Sequence, residues 1–142
     1  MDLGLSGARV LVAASSKGLG FATARQFSRE GARVVINGRH ADVLGQAAQA
    51  IRDETGGDVV SLVGDVSDAD GAEALVSGAV DALGGLDVLV TNAGGPPPGT
   101  FDSVPLDAWQ RAFELSVMSA VYLIRAALPY LRQSDRAAIL TI

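Results

Sequence analysis

No cysteine occurs in the chain, so neither a disulfide framework nor a thiolate metal site is open to it. Lysine occurs once, at Lys17, and histidine once, at His40; the other ten of the eleven basic residues are arginines, scattered along the chain. Acids outnumber them, for a net charge of −5. A nucleic-acid binder presents a basic patch to the phosphate backbone, so that class of partner is not expected. No uninterrupted apolar run reaches the roughly 18 residues of a membrane span. Met1-Asp2-Leu3-Gly4 carries an acid where a secretory signal has a basic start and an apolar run. A soluble, cytoplasmic protein is the expectation, with no membrane, nucleic acid or metal. What remains is one domain's length, 142 residues of which 49% are hydrophobic, enough to bury a core.

Short apolar runs alternate with longer stretches of helical period. Arg9–Ala14, Arg33–Asn37, Asp58–Val63, Leu86–Val90 and Ala138–Ile142 read as strands. Helices are expected over Gly18–Arg29, stopped by Gly31, and over Ala41–Glu54, stopped by Gly56-Gly57. In the second, Leu44, Ala47, Ala48 and Ile51 share a face. Ser67 resembles an N-cap, with Asp70 three residues on, for a third helix that ends at Gly84-Gly85. A loop of Gly, Pro and Thr (Gly94–Thr100) leads to a long helix, about Leu106 to Arg132, in which Pro129 should kink or tighten the last turn. Five apolar strands joined by helices predict an α/β fold, a doubly wound, Rossmann-like parallel sheet buried on both faces with order 3-2-1-4-5. Ligands of such sheets bind beyond the C-terminal strand ends, where the order reverses between strands 1 and 4.

At the first strand end the chain reads Ala14-Ser15-Ser16-Lys17-Gly18-Leu19-Gly20. Glycines there let the backbone approach a pyrophosphate, and the helix N-terminus offers free N–H groups and the positive end of its dipole. Strand 2 ends Ile36-Asn37-Gly38-Arg39, without the acid that would accept from an NAD ribose. A guanidinium can grip a 2′-phosphate with two parallel hydrogen bonds, and Lys17 adds a second charge, so NADP(H) is expected ahead of NAD(H).

On these residues the sequence resembles the short-chain dehydrogenase/reductase family. The family's Gly-x-x-x-Gly-x-Gly maps onto Ala14, Gly18 and Gly20, with alanine replacing the first glycine. Gly64-Asp65-Val66 falls where the resemblance implies that Asp65 and the Val66 backbone meet the adenine. Asn92-Ala93-Gly94 looks like the family's Asn-Ala-Gly, which lines the nicotinamide-ribose side and braces the sheet. Trp109 and Ala127-Leu128-Pro129 also fall at familiar positions, and the likeness covers essentially all 142 residues. The bland alternative is that Asp65 caps a turn and Asn92 a strand end.

The resemblance implies an NADP-dependent oxidoreductase that moves hydride between nicotinamide and a small carbonyl or alcohol. It also implies catalysis by Tyr-x-x-x-Lys on a fifth helix and a serine after strand 5. Tyr122 is followed four residues on by Ala126 and Tyr130 by Ser134, and Lys17 is the only lysine, so neither tyrosine has that partner. The active-site asparagine of the family falls on Ser116, which carries one donor rather than two. His40 is expected to be an exposed cap residue or adenine neighbour, and Tyr122 and Tyr130 to be helix-packing or interface residues rather than acids. Residues 1–142 therefore read as the cofactor part of such a domain, short of its sixth strand and inactive alone, with a homo-oligomer or complementary fragment as partner. The competing reading is a non-catalytic module that binds or senses NADP(H) beside another subunit.

Overall fold

A computed structural model describes all 142 residues. Its strands are β1 (Arg9–Val12), β2 (Arg33–Gly38), β3 (Val59–Val63), β4 (Val88–Thr91) and β5 (Ala138–Thr141). They form one parallel sheet in the order β3-β2-β1-β4-β5. The connecting helices are α1 (Gly18–Arg29), α2 (Ala41–Thr55) and α3 (Ala69–Leu83), then α4 (Leu106–Phe113) and α5 (Ser119–Leu131) joined by a π turn, Glu114–Met118.

Side chains alternate across a strand, so β1 sends Val10 and Val12 to one face and Leu11 to the other. Val10, Val12, Val34, Ile36 and Val90 pack with Ala24 of α1 and Leu44, Ala48 and Ile51 of α2. Leu11, Val35 and Leu89 pack with Val76 and Ala79 of α3 and Leu123 and Ala127 of α5. Each such fully buried Val, Leu or Ile contributes about 1.5–3 kcal/mol relative to exposure. The expectation of a sheet buried on both faces holds for β1, β2 and β4. It fails at the margins: β3 is buried only at Val59 and then alternates half-buried with exposed positions, and every residue of β5 is exposed.

Three local expectations are corrected. β1 stops at Val12, because Ala14 enters the left-handed region at φ +44 and cannot continue a strand. The cap of α3 is Asp68, whose carboxylate accepts from the Gly71 N–H at 2.7 Å, whereas Ser67 donates its own N–H to Asp65 at 2.9 Å. The long helix is real but interrupted by the π turn. Near Pro129 its end tightens, with Gln133 and Ser134 N–H groups reaching back three residues to Tyr130 and Leu131. By length and composition Leu106–Leu131 is apolar enough to cross a membrane. Here Leu123, Ala127 and Leu131 are buried on the sheet.

Where the strands begin, buried Asp87 accepts from the Arg9 backbone N–H at 2.8 Å, Arg9 Nε at 3.0 Å, Arg9 Nη2 at 2.7 Å and Ser134 Oγ at 2.7 Å. The Arg9 guanidinium holds the Asp87 carboxyl far below the usual carboxylate range, against the opposing effect of burial. Arg136 lies 3.6 Å from the same carboxylate and donates to the Gly4 and Ser6 carbonyls, tying the N-terminal segment to this end.

Candidate functional site

All four segments singled out in the sequence lie at the opposite end, beyond the C-terminal ends of β1, β2, β3 and β4. Parallel strands bring them together: every loop that leaves such a strand emerges on the same side of the sheet.

The loop after β1 is held by two asparagines. Asn37 Oδ1 accepts from the Ala14 N–H at 3.1 Å, and Asn37 Nδ2 donates to the Leu62 and Gly64 carbonyls at 3.2 and 3.1 Å. One buried carboxamide thus ties the ends of β1, β2 and β3. Ser15 is buried beside it, donating to the Val12 carbonyl at 2.7 Å and accepting from the Asn37 N–H at 3.0 Å. Asn37 and Ser15 therefore shape the loop with their side chains already partnered. From β4, Asn92 Nδ2 donates to the Ala14 carbonyl at 2.9 Å.

Two glycines are demanded by this geometry. Gly18 has φ +61. Gly20 is pressed so close that a Cβ would stand 2.5 Å from the Ala14 carbonyl oxygen and 2.8 Å from Asn92 Nδ2. The first-turn N–H groups of Gly18, Leu19 and Gly20 meet no acceptor within the protein. Lys17 is the N-cap residue of α1, in extended conformation, and its exposed side chain makes no capping bond.

Gly38 is buried against Ser16, and the next residue, Arg39, is exposed with no hydrogen bond or ion pair. His40 takes the N-cap position of α2, exposed and without a side-chain bond, as expected. The Asp65 carboxyl is lowered from its ordinary value, chiefly by the Ser67 backbone and hydroxyl, with the Arg39 charge adding to the effect against partial burial. Asp65 thus caps a turn and also answers to the field of Arg39. Val66 is buried under the sheet, whereas Ala93 is half-buried and Gly94 exposed.

Between the ends of β4 and β5 and the π turn lies a cleft of about 160 Å³. Asn92, Ala93, Gly94 and Ser116 line it, together with Thr91, Gly95, Ser119, Ala120, Thr141 and Ile142. Sequence reasoning had missed the hydroxyls of Thr91, Ser119 and Thr141. Thr91 and Thr141 face each other at 3.0 Å across the β4–β5 pair, and Ser119 donates to the Leu115 carbonyl inside the π turn. A signal existed for Thr91, which directly precedes Asn92-Ala93-Gly94. Tyr122 and Tyr130 are half-buried against the core, as packing residues should be.

A family model of short chain dehydrogenases matches residues 8–142. The chain belongs to the short-chain dehydrogenase family. Among similar members, glucose 1-dehydrogenase of Gluconobacter oxydans (strain 621H) is 35% identical over 125 residues, 88% of this chain and 47% of that protein. The L-rhamnose 1-dehydrogenase (NAD(P)(+)) of Sphingomonas sp. (strain SKA58) is 36% identical over 87% of this chain and 48% of its own length. In three dimensions the chain is similar to L-sorbose reductase of Gluconobacter frateurii, solved with NADPH and L-sorbose. The TM-score is 0.91 at 36% identity, over 99% of this chain and 54% of that one. This short-chain dehydrogenase chain thus spans about half the length of the relatives it matches.

Proposed function

We propose that this chain holds NADP(H) for an oxidoreductase acting on a small carbonyl or alcohol. One observation carries the reading: unpartnered N–H groups at Gly18, Leu19 and Gly20 lie on the same end of the sheet as two exposed cations, Lys17 and Arg39, and no carboxylate closes β2. Such a helix start suits a pyrophosphate, and such cations suit a 2′-phosphate. In this reading Ala14 to Gly20, including Ser15, Ser16 and Leu19, surround the pyrophosphate. Asn37, Gly38 and Arg39 form the ribose side, Asp65 and Val66 the adenine side, and Asn92, Ala93 and Gly94 the nicotinamide side. When bound, the nicotinamide supplies or accepts hydride. Ser116 occupies the cleft where a substrate-side proton relay would pass, with a single hydroxyl to offer.

The Tyr-x-x-x-Lys pair of the family is not among these residues, since Lys17 is the only lysine, so turnover is a property of the whole protein. The 142 residues alone are expected to bind cofactor without oxidising NADPH. Trp109, Phe113, Val117 and Val121 form an exposed apolar face, and β5 is exposed along its length; a second copy or a complementary polypeptide is the partner this reading assigns to them, in a cytoplasmic setting.

Calorimetry on the wild type and on Arg39→Asp tests the cofactor. A lost charge-assisted contact is worth about 1.5–3 kcal/mol, so the wild type should favour NADPH over NADH by about tenfold or more and the variant should erase or reverse this. Equal affinities in both proteins would refute the reading.

A further inference from the structure

Ala14 is the only residue other than glycine with a positive φ. At φ +44 an alanine Cβ crowds its own backbone, and in an isolated chain the residue would turn back to negative φ. It is kept there by bonds on both sides: its N–H donates to Asn37 Oδ1 at 3.1 Å, its carbonyl accepts from Asn92 Nδ2 at 2.9 Å, and the Ser15 N–H of that same peptide donates to the Asn37 carbonyl at 2.7 Å. The same carbonyl is the surface on which Gly20 rests. A flip of the Ala14 peptide would therefore withdraw the floor beneath the first turn of α1.

The Asn37 bond belongs to a buried hub that also serves Leu62 and Gly64, so it holds whatever Ala14 does. Asn92 is half-buried, and its amide nitrogen has no other partner in the protein. We infer that Ala14 is a positioning residue whose strained backbone makes the shape of the β1–α1 loop conditional on Asn92: the end of β4 latches the turn at the end of β1. A glycine at position 14 would rest at positive φ without cost and would need no latch. The alanine converts a permissive turn into a dependent one, coupling the cleft side of the site to the helix start through the Asn92 bond, which acts on the same peptide that the Ser15 N–H ties to β2.

The inference about cofactor rests on the NADP(H) reading above; the inference about coupling does not. A double-mutant cycle over Ala14→Gly and Asn92→Ala separates them, read by NADPH and NADH fluorescence titration and by thermal unfolding without cofactor. With Ala14 present, loss of Asn92 should weaken both cofactors about tenfold and lower the melting temperature; with glycine at position 14 the same loss should cost less than about threefold and a smaller melting shift. The NADPH-to-NADH ratio should stay constant throughout, because the loop faces the part the two cofactors share. Equal effects of Asn92→Ala in the two backgrounds would overturn the latch, as would a change in the ratio alone. Should Asn92→Ala fail to fold, Asn92→Ser closes the same cycle with the same criterion. If the wild type binds neither cofactor, the proposed function fails and the melting cycle alone upholds or overturns the coupling.

Discussion

Where the strands begin, Asp87 is buried, accepts from Arg9 and Ser134, and has Arg136 nearby. Where they end, Ala14 is strained, three helix-start N–H groups face no acceptor, and Lys17 and Arg39 stand in solvent without partners. Both ends are made of the same strands, so the difference is not one of fold. One end closes its hydrogen bonds and anchors the sheet. The other leaves bonding capacity open, and it is this open capacity in a rigid framework that the proposed cofactor site draws on.

The largest expected effect breaks the closed end. Asp87→Ala strips Arg9 of its partner and leaves Ser134 and the Arg9 N–H unsatisfied. Since Arg9 is partly exposed, the cost should fall at the low end for a broken buried pair, about 3 kcal/mol, seen as a lower urea midpoint. The preference between NADPH and NADH should be unchanged wherever the variant is folded. A shifted preference would mean that the two ends are not separable.

Next comes the open end. Gly20→Ala places a methyl group against the Ala14 carbonyl and Asn92, and overpacking of this kind costs about 1–3 kcal/mol. Cofactor affinity should fall with it, by calorimetry. Gly45→Ala is the control: in α2 an added Cβ meets nothing within 4 Å, so it should stabilise the chain by about 0.5–1 kcal/mol. A harmless Gly20→Ala would remove the claim that the turn is close-packed.

The smallest effect is one of pH. The Asp87 carboxyl titrates lower in the folded chain than in the unfolded one, where its value is about 3.9. Its contribution is therefore complete above that pH and is lost as pH falls below it, by at most about 1.4 kcal/mol per pH unit. Unfolding midpoints should therefore carry no slope from Asp87 above about pH 4 and should show it between about pH 4 and about pH 2, and Asp87→Asn should flatten it there. The carboxyl of Asp65, lowered chiefly by Ser67, adds a weaker dependence of the same sign at the open end.

Much of this was legible before any coordinates. Glycine ends α2 and α3 at Gly56 and Gly84, both left-handed as a helix stop requires, and the apolar runs lie on the strands they foretold. Convergence of the four loops followed from parallel topology alone. What stayed hidden depends on contacts distant in sequence or on single-residue choices. Asn37 reads as one more site residue until its partners at Ala14, Leu62 and Gly64 are seen. Ser67 and Asp68 are both fit to cap a helix, and only the backbone path decides between them. The exposure of β5 could not be read from its composition, since an apolar strand looks the same whether or not anything covers it.

The π turn between α4 and α5 acts as a phase correction. Residues advance by about 100° in an α-helix, so side chains four apart drift by roughly 40° per step and about 120° over three steps. Trp109, Phe113, Val117 and Val121 are spaced in this way, and an uninterrupted helix would wind them a third of the way round its axis. Absorbing one extra residue in a wide turn leaves eleven residues' worth of rotation between Trp109 and Val121, a mismatch of about 20° over three turns. The four side chains consequently stay in line along one edge, each close to half exposed, while Leu123, Ala127 and Leu131 keep their own alignment toward the sheet. Deleting one residue from Glu114–Met118 would restore the ordinary pitch with the same eleven steps of about 100°, so the two halves of the helix would keep their alignment and only the wide turn would be lost.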